Sequence, residues 1–176
     1  MLTRQNAQQL LEKYIENPSL RRHSQMVALA MEAYAKNLGQ DIEVWYMAGL
    51  LHDLDWEQFP DEHPNKAIND ILPQANVPAE IIAAIAAHAP GRTGRQPETL
   101  IERYLFACDE ICGFLDAVAK VRPDKFTGMK WPSVNKKLKN KSFAANVSRE
   151  DIEVGSKLID KPLAEHVGFL IEVFSR

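Results

Sequence analysis

The chain has 176 residues, of which 45% are hydrophobic, and its 24 acidic and 21 basic residues give a net charge of −3. This length suits about one domain, and the ample apolar material with little net charge excludes intrinsic disorder. No apolar run approaches the roughly eighteen residues of a transmembrane helix. The N-terminus lacks the apolar core of a secretion signal. We therefore expect a cytoplasmic protein, with no membrane contact and no specific nucleic-acid binding.

Apolar residues recur with helical spacing along nearly the whole chain, and no strand pairing is evident. Thr3 or Asn6 can cap a first helix, Asn17-Pro18-Ser19 starts a second, and Gly39 ends it. The expected fold class is all-α, a single helical bundle over residues 1–176. We expect helices at 8–16, 18–38, 41–54, 64–72, 78–88, 97–121, 133–138, 149–159 and 162–174, and loops at 55–63 and 90–96.

The main charge asymmetry lies between residues 125 and 149. This segment has seven basic residues and no acidic one, so the rest of the chain carries a net charge of −10. A lysine run is usually a solvated face, and alone it favours that interpretation. A rim that attracts an anionic substrate is the alternative. The basic residues are Lys125, Lys130, Lys136, Lys137, Lys139, Lys141 and Arg149.

Residue types that ligate metals lie on the apolar stripes of five predicted helices or helix entrances. Adjacent His52 and Asp53 end an apolar helix, where a buried carboxylate costs on the order of several kcal/mol unless a cation or donors satisfy it. Gly49, one turn earlier, leaves room for the close approach of another element. Each residue alone is more often a hydrogen-bonded core residue or cap than a ligand. The set is His23, His52, Asp53, His63, His88 and Asp109.

The order His23, His52-Asp53, Asp109 resembles the H…HD…D signature of the HD-domain superfamily of metal-dependent phosphohydrolases. The segments AGLLHDLD, EHPNKAINDIL, AAIAAHAP and LFACDEICGFL are similar to the family's helices around these positions. The resemblance covers a metal-binding core of about residues 19–119. It leaves a basic C-terminal helical extension of about residues 120–176, which resembles uncharacterised predicted hydrolases of the family.

The resemblance implies that His23, His52, Asp53 and Asp109 ligate a first metal ion. His63 and His88 match the extra histidines of subgroups with two metals, in which the aspartate of the HD pair bridges the ions. A water or hydroxide between the ions would then attack the phosphorus of a small phosphorylated metabolite or nucleotide, with Asp53 and His52 as catalytic residues. The implied cofactor is one or two divalent ions, and this donor set suits Mn, Fe, Co, Zn or Mg.

The chain departs from the family pattern just after the HD pair. Many members have a small residue followed by Lys or Arg there, whereas this chain has Leu54-Asp55-Trp56. The missing cation weakens any transfer of a particular nucleotide specificity. Asp55 can be a partner of a metal-ligating histidine or a residue of the loop that follows the helix. The sequence slightly favours the loop.

Candidate substrate-binding residues follow His88 in the segment GRTGR. The guanidinium groups of Arg92 and Arg95 suit a phosphate clamp, although an exposed turn explains them equally well. Lys130 is a weaker candidate that could also face the cleft. His166 falls outside the ordered array, so no metal is expected there.

Two other functions stay open from the sequence. A few HD-type proteins with two irons are oxygenases, and such a protein would consume oxygen with a polyol or phosphonate. A domain of this kind can also bind a phosphorylated ligand as a sensor without turning it over. The sequence offers no output module for a sensor, so hydrolysis is the leading hypothesis.

Overall fold

The computed structural model describes residues 2–176, and this part of the chain is helical with no strand, which confirms the all-α class. A π-helical turn, Ala67–Ile71, precedes the fourth α-helix. None of the described helices is long and apolar enough to cross a membrane. The α-helices are α1 (Arg4–Tyr14), α2 (Pro18–Leu38), α3 (Ile42–Leu51), α4 (Leu72–Gln74), α5 (Ala79–His88), α6 (Pro90–Thr93), α7 (Leu100–Lys120), α8 (Trp131–Leu138), α9 (Arg149–Leu158) and α10 (Leu163–Phe174).

Helix α2 begins and ends where the sequence predicts. The Asn17 side chain accepts hydrogen bonds from the backbone N–H groups of Ser19 and Leu20, and Gly39 takes the left-handed conformation with φ of 65°. This geometry is a common way to satisfy the polar groups at helix ends. The predicted loop at residues 90–96 is wrong in part, because residues 90–93 form α6 with Pro90 in its first position.

Helix α3 ends three residues earlier than predicted, at Leu51. The ring nitrogen Nδ1 of His52 lies 2.8 Å from the carbonyl oxygen of Gly49. In a continuing helix that carbonyl would accept from the N–H of Asp53. The His52 side chain therefore takes over a carbonyl of the last helical turn, and the chain turns away at Asp53.

The predicted helix at 64–72 is also irregular, and Asp55 explains why. The N–H of Ala67 donates to Asp55 Oδ2 at 2.8 Å instead of to a helical carbonyl. The regular hydrogen-bond ladder is interrupted at this point. The chain passes through the π-helical turn before α4 begins at Leu72.

Helices α2 and α3 pack with their backbones in close contact at Gly49. A Cβ atom placed on Gly49 would lie 2.8 Å from Ala28 Cα and 2.8 Å from the carbonyl carbon of Val27. This confirms the expected close approach at this glycine. It also brings the end of α3, which carries His52 and Asp53, next to the first turns of α2, which carry His23.

Gly49→Ala is therefore expected to lower the free energy of unfolding by about 1–3 kcal/mol, since the added methyl group forces two helix backbones apart. Urea unfolding of the purified variant measures this loss. Gly168→Ala in α10 is the matched control, because a Cβ there meets nothing within 4 Å. That variant should be neutral or gain up to about 1 kcal/mol. Equal unfolding midpoints for Gly49→Ala and the wild type would contradict the tight contact.

The C-terminal helices pack on α7 through two specific contacts. A Cβ on Gly155 of α9 would lie 2.7 Å from Ala107 Cα, so these helices also touch backbone to backbone. His166 of α10 is buried, with Nδ1 2.6 Å from the Tyr34 hydroxyl and Nε2 3.0 Å from the Ala107 carbonyl oxygen. Burial lowers the pKa of His166 to about 4, so it is a neutral anchor for α10.

Candidate metal centre

The structure brings together all six residues that the sequence singled out as metal-ligand types. They come from α2, α5, α7, the end of α3 and the segment before Pro64. They form two groups in which one donor atom from each residue lies within 4.8 Å of the others. The first group is His23, His52, Asp53 and Asp109, and the second is Asp53, His63 and His88. His166 lies in neither group.

In the first group, nitrogen and carboxylate oxygen atoms lie unusually close together. His23 Nε2 lies 2.9 Å from Asp109 Oδ1 and 3.2 Å from His52 Nε2. Asp53 Oδ2 lies 3.2 Å from His52 Nε2 and 3.7 Å from His23 Nε2. Ligands held about 2.1 Å from one ion in tetrahedral or octahedral geometry are themselves about 3.0–3.4 Å apart. The spacing of the four donor atoms therefore fits a single cation.

The carboxylate of Asp53 belongs to both groups. Its Oδ2 atom faces His23 and His52, whereas its Oδ1 atom lies 3.5 Å from His63 Nε2 and 3.6 Å from His88 Nε2. Each carboxylate oxygen has its own set of imidazole neighbours. The arrangement therefore suits a carboxylate that bridges two cations.

The hydrogen bonds of three histidines show which ring nitrogen is free. Nδ1 of His52 donates to the Gly49 carbonyl at 2.8 Å, and Nδ1 of His88 donates to the Ile85 carbonyl at 2.5 Å. Nδ1 of His63 lies 2.6 Å from Asp55 Oδ1. A neutral imidazole has only one N–H, so each Nε2 then directs a lone pair toward a carboxylate. A lone pair on Nε2 and a carboxylate oxygen repel each other, so their contact is favourable only when a proton or a metal cation lies between them.

The electrostatics of the first group also demand positive charge. Burial alone would lower the pKa of His52, but the carboxylates of Asp53 and Asp109 outweigh it and raise this pKa well above its usual value. Burial would raise the pKa of Asp109, yet His52 and the hydrogen bond from His23 lower it far below its usual value. A proton on His52 or a bound cation therefore stabilises these half-buried carboxylates.

A cavity of about 520 Å³ opens onto both groups. Its wall near His63 contains Trp56, which is 38% exposed, and Arg92. On the side of Asp109 it contains Glu110, whose Oε2 accepts the Ser148 N–H at 3.0 Å. Burial and then the charge of Asp109 raise the pKa of Glu110 to about 7. The remaining wall residues are Ala89, Pro90, Gly91, Phe106, Gly113, Val147 and Asp151.

The comparison with protein-family models matches residues 20–112 to the HD domain, which is more than half of the chain. This protein belongs to the HD-domain family. Searches of curated proteins and of solved structures found no match. Most members of the HD-domain family are metal-dependent phosphohydrolases, and the clustered histidines and aspartates of this chain could hold a metal ion.

The HD-domain match ends before the C-terminal part of the cavity wall. Val147 and Asp151 come from the loop before α9 and from α9 itself, about forty residues beyond the last matched residue. The amino-acid sequence did not indicate that these two residues, or Glu110, belong to the site. Glu110 could have been found from its position next to Asp109, whereas Val147 and Asp151 carry no local signal.

Asp55 corrects one interpretation of the sequence. It is fully buried, with Oδ1 accepting from His63 Nδ1 and Oδ2 accepting from the Ala67 N–H. The preference for a loop residue is therefore wrong. In this HD-domain protein, Asp55 orients the ring of His63, as carboxylates commonly do behind metal-binding histidines.

Among the three candidate substrate-binding residues, the structure places only Arg92 at the cavity. Arg95 is drawn to Glu102, a buried carboxylate at the start of α7, with Nη2 2.5 Å from Oε1. Lys130 is exposed before α8, outside the cavity wall. The other basic residues of 125–149 do not line the cavity either. This placement favours a solvated face for the lysines of the basic run, whereas Arg149 is half-buried and donates to loop carbonyls.

Proposed function

We propose that this HD-domain protein is a metal-dependent phosphohydrolase acting on a small phosphorylated metabolite or nucleotide. The observation that carries the proposal is the Asp53 carboxylate, shared by two histidine-rich groups at one cavity. The free Nε2 atoms, their spacing and the demand for positive charge all fit bound cations. The cavity is large enough for a small metabolite beside them.

In this proposal His23, His52, Asp53 and Asp109 hold one divalent ion, and Asp53, His63 and His88 hold another. Imidazole and carboxylate donors without a thiolate suit Mn, Fe, Co, Zn or Mg. Bound ions of this kind lower the pKa of a coordinated water and polarise a phosphoryl oxygen. Both effects accelerate the hydrolysis of a phosphate ester.

Residues of the chain orient the metal-binding imidazole rings and provide positive charge for the phosphate. The backbone carbonyls of Gly49 and Ile85 hold the rings of His52 and His88, so their Nε2 atoms point at Asp53. Arg92 uses Nη1 for backbone carbonyls, which leaves Nε and Nη2 for the oxygens of a phosphate. Phosphate would then lie between Arg92 and Asp53, and the remainder of the substrate would face Phe106 and Val147.

The test joins metal analysis to a substrate screen on one preparation. Protein purified without added metal should contain a transition metal, lose phosphatase activity after EDTA treatment, and recover it with Mn, Fe or Co. The screen should include phosphomonoesters and nucleotides. A metal-free preparation that hydrolyses none of them under any added metal would refute the proposal. A mixed-valent di-iron signal with oxygen consumption would indicate an oxygenase, and tight nucleotide binding without turnover would indicate a sensor.

A further inference from the structure

Arg92 connects the two segments that carry His63 and His88. Its Nη1 atom donates to the carbonyl oxygen of Pro60 at 2.9 Å and to that of His63 at 3.1 Å. Within residues 2–176, these are the only hydrogen bonds between segment 55–63 and segment 89–96. Arg92 is therefore the direct hydrogen-bonded link between the two segments that carry the histidines of the second ligand group.

The segment that carries His63 needs such support because it is not a regular helix. Residues 53–62 follow a series of turns, so the backbone before His63 lacks a continuous helical hydrogen-bond ladder. The His63 ring packs edge-to-face on Trp56, with centroids 4.8 Å apart. The guanidinium carbon of Arg92 lies 5.5 Å from the centre of the Trp56 ring. Arg92 thus supports His63 through its backbone carbonyl and through Trp56.

The other end of this connection is rigid. Helix α6, which carries Arg92, starts two residues after His88. Thr93 Oγ1 donates to the Ala86 carbonyl at 2.7 Å and so fastens α6 to the last turn of α5. Arg92 therefore extends from the helix of His88 to the backbone of His63, and it sets the distance between the two histidines.

The same guanidinium keeps donors free for a ligand. Nε and Nη2 of Arg92 make no hydrogen bond within the described residues 2–176, and the residue lines the cavity. An arginine can bind two phosphate oxygens with such a pair of donors. One side chain can therefore contact an anionic substrate and the ligand segment at the same time.

We propose that Arg92 is a positioning residue that holds His63 against His88, so that phosphate and the second metal ion strengthen each other's binding. The phosphate part of this inference rests on the proposed function. Because coupling between two ligands is reciprocal, an ion in the second group should also tighten phosphate binding. Arg95, three residues later, has no such role because Glu102 engages it.

The test is a calorimetric titration of the EDTA-treated full chain with Mn²⁺, with and without inorganic phosphate. The wild type should bind two ions. In Arg92→Gln the first ion should bind within about twofold of the wild type and the second about 10- to 100-fold more weakly, as for other residues that support ligands. Phosphate should strengthen the second binding step in the wild type and much less in Arg92→Gln. Arg92→Lys should fall between them, because one ammonium cannot replace the fork of donors.

Arg103→Gln is the matched control, because Arg103 is exposed on α7 and its side chain makes no hydrogen bond to any of residues 2–176. It should bind both ions like the wild type. Thermal unfolding of the metal-free variants checks that Arg92→Gln stays folded. In kinetic assays excess Mn²⁺ should restore kcat of Arg92→Gln. If Arg92 only bound phosphate, its loss would instead raise KM and leave the affinity for the second ion unchanged.

The outcomes separate this inference from the proposed function. If Arg92→Gln binds both ions with wild-type affinity, the positioning role is wrong and the hydrolase proposal is unaffected. If the wild type binds two ions as described but hydrolyses no phosphate ester, the hydrolase proposal fails and the role of Arg92 stands on the titrations. A wild type that binds fewer than two ions overturns the positioning role.

Discussion

Asp53→Asn should weaken metal binding and phosphatase activity together. The amide has one oxygen in place of two, so only one ligand group can keep an acceptor, and the NH₂ group must face the histidines of the other. The substitution also removes a negative charge that helps to raise the pKa of His52. Loss of a residue that merely supports a ligand costs about 10- to 100-fold. We therefore expect kcat/KM to fall by more than about a hundredfold, with at most one ion bound.

Elemental analysis and kcat/KM for the same preparations measure these effects. Asp70→Asn is the matched control, because it makes the same chemical change at an exposed carboxylate whose one ion-pair partner among residues 2–176 is Lys66. It should keep the metal content and activity of the wild type. Circular dichroism shows whether Asp53→Asn remains helical. A folded Asp53→Asn protein that binds two ions and turns over substrate normally would eliminate Asp53 as the shared ligand.

The convergence of the ligand-type residues that lie on helices could be predicted because it depends on helical periodicity, whereas His63 was matched through the family resemblance. His23 and Asp109 lie on the apolar stripes of α2 and α7, which must face the core to bury their neighbours. Gly49 indicated where two helices come close, and the structure has backbone contact there. Local residue spacing contains this information, so no knowledge of the tertiary arrangement was needed.

The partners of these residues could not be predicted in the same way. Asp55 reaches His63 only because the chain turns between them, and turns have no fixed period that would reveal which side chains meet. Arg92 and Arg95 look equivalent in the sequence, and only the tertiary contact with Glu102 separates them. In each case one long-range or turn-dependent contact determines the role of the residue.

The position of the C-terminal wall of the cavity also depends on individual contacts, one of which joins residues far apart in the sequence. The guanidinium of Arg149 donates to the carbonyl oxygens of Ala144 and Val147, so a residue that looks like part of a basic surface run instead folds the loop before α9. The N–H of Ser148 then binds Glu110. These contacts bring Val147 to the cavity. The contact between Ser148 and Glu110 joins residues 38 apart in sequence, and none of the contacts follows a regular pattern.

Asp55→Asn provides the sharpest test of the support behind the ligands. If the new amide oxygen accepts from His63 Nδ1, its NH₂ group faces the N–H of Ala67 and that buried donor loses its partner. If the amide is reversed, its NH₂ group faces His63 Nδ1, which must then give up its proton. That proton moves to Nε2 and occupies the lone pair directed at Asp53. The first orientation costs stability of about 1–3 kcal/mol, and the second blocks the ligand atom of His63.

We therefore expect Asp55→Asn to bind the second ion about 10- to 100-fold more weakly and to lose activity by a similar factor, while the first ion binds normally. Manganese titration and urea unfolding of the same preparation measure both parts. Asp61 is an exposed carboxylate in the same segment and has no side-chain partner in the described part of the chain, so Asp61→Asn should behave as the wild type. If Asp55→Asn is less stable yet binds two ions normally, Asp55 acts only on the π-helical turn through Ala67. If the second ion instead binds more weakly and the stability is unchanged, Asp55 acts on the tautomer of His63.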